Sequence, residues 1–137
     1  MSTKSDLLFA SINQFYNEPT NRDALVNVLN KKNGSPSLRS IEWFITNYAK
    51  KNLTHYETQD GKIFTVHCAY KNTLNGFSKR FFDPFCRSSK ITYKIPGTEM
   101  EIQTTLAQLN FIRWVIRNKI LDYMENNRFV LFNKSST

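Results

Sequence analysis

Between Thr104 and Asn126, apolar side chains return at helical spacing: Leu106, Leu109, Ile112, Val115, Ile116, Ile120, Tyr123 and Met124. A stripe this wide must be buried against several other elements. Thr104 or Thr105 is placed to cap such a helix, so one long helix over roughly 105–126 is expected. The chain has 137 residues, 40% of them hydrophobic, which is enough for one core and short for two. The remaining segments must therefore form the walls around that helix.

Upstream, Ser5 can cap a helix through about Tyr16, with Leu7, Leu8, Ile12 and Phe15 as its stripe, interrupted by Pro19. Thr20 or Asn21 can cap a second, which carries Leu25, Val28 and Leu29 and stops in the run from Lys31 to Gly34. Ser37 can cap a third, SLRSIEWFITNYAKKN, with Leu38, Ile41, Ile45 and Tyr48 on one face and Lys50 and Lys51 in its last turn. The period then changes. THYET and IFTVHCAY flank Asp60-Gly61 and predict a β-hairpin. The segment from Lys71 to Lys79 fits a short helix or an extended loop equally well. FFDPF predicts a turn, because Pro84 disfavours helix at Asp83. SKITYKI and EMEIQ predict strands around Pro96-Gly97, with Met100 and Ile102 inward, and RFVLF predicts a last strand. The fold class is α+β: N-terminal helices, a small antiparallel sheet and one long C-terminal helix packed on it. No linker divides the chain, so a single domain over 1–137 is expected.

Lys and Arg number 19 against 11 Asp and Glu, a net charge of +8. Residues 62–94 carry +6 of it, with seven cations and Asp83 as the one acid. Charge concentrated in this way attracts polyanions. Within AYKNTLNGFSKRFFDPFCRSSKITYK, the cations Lys71, Lys79, Arg80, Arg87, Lys90 and Lys94 alternate with aromatic residues. Cations neutralise phosphates, and rings stack on unpaired bases; Phe77, Phe81, Phe82 and Tyr93 are the stacking candidates. The same pattern describes core rings under a solvated charged face. Residue types alone leave DNA, RNA, an acidic protein and a phospholipid head group open. Arg113 and Arg117 are i,i+4 neighbours, with Asn110 one turn earlier, and would extend the surface if their face adjoins the segment.

Other chemistry has little support. His67 and Cys68 are adjacent, so in a strand they point to opposite faces, and with His55 and Cys86 they give no metal-ligand spacing. Cys86 beside Arg87 hints at an activated thiol but has no recognisable partner. No glycine-rich phosphate loop and no H-E-x-x-H is present. A protein without catalytic residues, metal or cofactor is expected. No apolar run approaches the ~20 residues of a membrane span. The opening MSTKSDLLFASINQF lacks a signal-peptide core, so Cys68 and Cys86 are expected to be reduced thiols.

Three stretches, SLRSIEWFITNYAKKN (37–52), YKNTLNGFSKRFFDPFCR (70–87) and TTLAQLNFIRWVIRNKILDYM (104–124), together resemble a family of small, uncharacterised basic proteins of nucleocytoplasmic large DNA viruses, the giant-virus group. Glu42 stands where that family's pattern has Asp, and Ile112 where it has a second aromatic. The resemblance covers about 37–124 and carries no established chemistry. It implies a viral protein acting in infected cytoplasm, at a replication site or in the virion. The expected function is sequence-tolerant nucleic-acid binding, to DNA or RNA. The alternatives are a minor capsid or core protein, with Phe81, Phe82, Phe85 and Trp43 as its apolar patch, and an adaptor for an acidic protein.

Overall fold

Helix α1 (Lys4–Tyr16) opens the chain in the computed structural model, which describes residues 3–86 and 90–132. Its cap is Thr3 rather than Ser5. The Thr3 hydroxyl accepts from the Asp6 N–H and the Asp6 carboxylate accepts from the Thr3 N–H, so two otherwise orphan donors are satisfied at once. Pro19 begins α2 (Pro19–Asn30), since a first-turn position needs no N–H. Ser37 caps α3 (Leu38–Trp43), accepting from the Ser40 N–H at 3.1 Å. The chain then runs without a break through a π-helical turn, Phe44–Tyr48, into α4 (Ala49–Asn52).

The expected hairpin forms from β1 (His55–Glu57) and β2 (Ile63–Thr65), with Tyr56 opposite Phe64. Its second strand ends early. IFTVHCAY reads as strand throughout, yet Val66 starts helix α5 (Val66–Phe77). Val66, Tyr70, Leu74 and Phe77 recur at helical spacing and all pack on the core, and burying that stripe outweighs the β-propensity of Val66 and Tyr70. A break at Ser78 (φ 75°) leads to one helical turn, α6 (Lys79–Phe82). The FDPF turn follows, with the Phe85 N–H donating to the Asp83 carboxylate at 2.9 Å. β3 (Ile91–Lys94) pairs antiparallel with β4 (Glu101–Thr104), Tyr93 opposite Ile102. Met100 lies in the connecting turn and is exposed, not inward. The strands thus form two separate two-stranded ribbons instead of one sheet.

The long C-terminal helix is divided into α7 (Leu106–Arg117), α8 (Ile120–Asn126) and α9 (Arg128–Phe132). The first break follows from Asn118. Its side-chain amide donates to the Trp114 carbonyl at 2.8 Å, and Lys119 then adopts φ 62°. Asn127 repeats the device on the Tyr123 carbonyl. RFVLF, read as a strand, is helical, with the Leu131 N–H donating to the Asn127 carbonyl and Leu131 buried. The neighbours of α7 are chiefly helices: α6, α1, α2 and α8. The β1–β2 ribbon reaches its C-terminal half through side chains, Phe64 against Trp114 at 6.1 Å and the Tyr56 hydroxyl to the Asn118 carbonyl. Ile12, Tyr16, Leu25, Ile41, Phe44, Leu109, Phe111 and Ile112 are fully buried around this axis. The class is α+β, with helix-on-helix packing supplying most of the core.

Candidate nucleic-acid interface

The cations of 71–94 have different surroundings. Lys71 on α5, Lys79 and Arg80 on α6 and Lys90 ahead of β3 are exposed, and none makes an ion pair among the described residues. Lys94 is paired with Glu99 at 3.7 Å and faces Glu101 across the ladder. Arg87 lies outside the described residues. The two arginines of α7 do not extend the segment as expected. Arg113 is only 6% exposed, and its guanidinium donates to Ser11 Oγ at 2.5 Å and to Asn110 Oδ1 at 2.8 Å. Burial, then the neighbouring Arg117, hold its pKa below the usual guanidinium value. Arg117 is exposed but lines a hollow of about 610 Å³ with Glu57, Asp60 and Asp122, and none of the described residues of 71–94 lines that hollow.

The rings divide as well. Phe82 is fully buried against Tyr70, Phe111 and Trp114, and Tyr93 is 2% exposed, so neither can stack on a base. The Tyr93 hydroxyl donates to Asn13 Oδ1 at 2.8 Å, and burial pushes its pKa up to about 12. Phe77 is half-buried and stacked on Phe82 at 6.0 Å. Phe81 is half-buried, and Phe85 is 48% exposed.

What the fold does assemble is the turn after α6. Lys4 Nζ and the Arg80 guanidinium stand 5.8 and 5.5 Å from the Phe81 ring centre, and the Arg39 guanidinium stands 5.9 Å from that of Phe85. One turn therefore carries cations from three helices, Lys4 of α1 and Arg80 of α6 on Phe81 and Arg39 of α3 on Phe85. Lys4 and Arg39 are far from this segment in sequence, and no spacing pattern would have found them. The turn is fastened from below by α7. Asn110 donates to the Phe81 carbonyl at 2.8 Å, and Gln108 to the Pro84 carbonyl at 3.1 Å. The Thr104 hydroxyl in turn donates to Gln108 Oε1, and Arg113 to Asn110 Oδ1. The site is not purely basic: burial first, and Asp83 second, push the Glu42 carboxyl above its usual range.

The histidines serve the backbone. His67 Nδ1–H donates to the Ile45 carbonyl at 3.3 Å, and His55 Nδ1–H to that of Leu53 at 2.8 Å, since a carbonyl can only accept. Cys68 is exposed and Cys86 half-buried, both free thiols. Among the described residues no three His, Cys, Asp or Glu stand together as metal ligands, and no helix is long and apolar enough to cross a membrane.

Fold and site together define a small, basic α+β protein in which Lys4, Arg39 and Arg80 lie over the rings of one hydrogen-bonded turn. The chain belongs to a family of unknown function, DUF7197, which matches residues 1–135. It is 48% identical over 96 residues to an uncharacterised protein of Acanthamoeba polyphaga mimivirus. That match takes in 65% of this chain but 37% of the relative, so the chain spans well under half of the relative's length. The resemblance to uncharacterised giant-virus proteins therefore holds, and the family reaches beyond 37–124 to include α1 and α2. No solved structure matches the chain.

Proposed function

We propose that the chain is a non-catalytic nucleic-acid-binding protein that holds phosphate backbones without reading sequence. The observation that carries this reading is the convergence of Lys4, Arg39 and Arg80 on Phe81 and Phe85, with Lys79 exposed beside them. Rings that already carry cations position charge in place of stacking on bases, which suits backbone contact. Lys71 and Lys90 add long-range attraction. Such binding would act at a viral replication site, in infected cytoplasm or on a packaged genome.

Fluorescence anisotropy with labelled DNA and RNA tests the reading. Four neutralised phosphates imply a loss of roughly a hundredfold in affinity between about 50 and about 200 mM salt, through counterion release. A flat salt profile, or no binding at the lower salt, sinks it. A second reading, a structural component of the virion, draws on the apolar side chains left in solvent: Phe85 on the turn, and Phe129 and Val130 on α9. Crosslinking in purified particles separates the two, because a structural component attaches to the shell protein and a genome binder to nucleic acid.

A further inference from the structure

The π-helical turn Phe44–Tyr48 interrupts the regular helix between α3 and α4, and it borders an open groove of about 790 Å³ between α4 and α9. Pockets that take small ligands run to about 300–1,000 Å³, so this one has room for a nucleotide unit. Trp43, Tyr48, Lys50, Lys51, Asn47 and Asn52 line it, with Val130 and Leu131 as the far wall. Among the described residues no carboxylate lines it, although the chain has 11 Asp and Glu. Lys50 and Lys51 are exposed and make no ion pair among the described residues.

The irregular turn builds this wall. In a regular helix, a residue five places on lies roughly 140° round the axis from the first. In a turn closed by i→i+5 bonds it returns above the first. Here the Ala49 N–H donates to the Phe44 carbonyl, five residues back. Trp43 and Tyr48, also five apart, consequently lie with ring centres 6.1 Å from each other. The distortion is supported from outside, since His67 on α5 donates to the Ile45 carbonyl within the turn. Such turns are frequent at functional sites. Two rings beside two ammonium groups, with amides and no acid, match an unpaired base attached to a phosphate.

We propose that this groove takes one unpaired nucleotide of a single strand, its base against Trp43 and Tyr48 and its phosphate on Lys50 and Lys51. The inference rests on the nucleic-acid reading for its class of ligand, but its residues are separate from the turn after α6.

The test uses the full chain carrying Trp114→Phe, which leaves Trp43 as the sole tryptophan reporter. Oligo-dT should quench it and bind more tightly than a duplex of equal length. Lys50→Gln with Lys51→Gln, both on exposed positions, should weaken oligo-dT binding at least tenfold and duplex binding several-fold less than that. Tyr48→Leu should weaken single-strand binding by about five- to a hundredfold, the effect of removing one stacked base. Absence of quenching, or unchanged single-strand affinity in the lysine double variant, overturns the groove. If duplex binding still depends on Lys79 and Arg80, the wider reading survives that result. Equal quenching by polyglutamate, or by adenosine monophosphate at the same concentration, also overturns it, making the ligand an acidic peptide or a free nucleotide.

Discussion

The turn after α6 and the facing side of α7 carry similar polar residues and put them to opposite uses. On the turn, Lys79 and Arg80 are exposed, Arg80 shares the Phe81 ring with Lys4, and Arg39 lies over Phe85. On α7, Gln108, Asn110 and Arg113 are turned inward and spend their hydrogen bonds on the turn's carbonyls and on each other. The same helix places Arg117 one turn later beside the acids of the β1–β2 hairpin. Charge counted along a sequence is thus a weak guide to a surface, because packing buries Arg113 and leaves its i,i+4 neighbour Arg117 in solvent. Here one arginine supports the interface from beneath while another forms it.

Removing Arg113 should break this comparison most severely. Arg113→Ala takes away a buried stem and its hydrogen bonds to Ser11 and Asn110, and Asn110 then positions Phe81 without support. A cost of about 3 kcal/mol in unfolding free energy is expected, from hydrogen bonds to a charged group plus lost packing. Arg113→Met should recover part of it, since an apolar chain of similar volume avoids burying the charge. Urea unfolding curves measure both variants. If Arg113→Ala unfolds at the wild-type midpoint, Arg113 is not the inward brace described here.

The outward half of the comparison has the reverse signature. Lys79→Ala with Arg80→Ala should change stability by less than about 0.5 kcal/mol, because both side chains are exposed and make no ion pair among the described residues. The slope of log affinity against log salt should fall by about two, one for each phosphate contact removed. An unchanged slope would show that these two cations do not touch phosphate. A stability loss as large as that of Arg113→Ala would erase the distinction between the two regions.

The local code was readable where chemistry acts over a few residues. Ser37 caps α3, Asp60-Gly61 turns the first hairpin and Pro96-Gly97 the second, and the mixture of helix and strand gives the α+β class. Two errors share a cause, which is that periodicity does not say what lies opposite. Ile63, Phe64, Val66 and Tyr70 have the side chains of a strand, yet Val66 and Tyr70 are also one helical turn apart and the core stands on that side. The stripe of the C-terminal helix continues from Ile116 to Ile120 at i+4, so the break at Asn118 and Lys119 leaves no gap in the apolar pattern. The candidate site was legible as charge and illegible as geometry. Lys79 and Arg80 stood out, but their companions Lys4 and Arg39 are joined to them only by the packing of α1 and α3 around the turn.

The smallest expected effect comes from Glu42, on the acidic edge of the same turn. Its carboxyl is raised first by burial and then by Asp83, and the nearby Arg39 lowers it less. A raised folded-state value means that the native protein holds this proton more tightly than the unfolded chain does. The contribution to stability is therefore full below the ordinary carboxyl range and lost as pH rises through the folded-state value. Glu42→Gln should remove that part of the pH dependence. At neutral pH it should leave the protein more stable by no more than about 0.5 kcal/mol, as expected for a partly exposed position. It also removes a negative charge close to Arg39, so nucleic-acid affinity at low salt should rise slightly. Thermal melts across the acidic range, with anisotropy at neutral pH, measure both effects. A fall in affinity would mean that Glu42 holds Arg39 in its binding position, and the acid would then belong to the interface instead of opposing it.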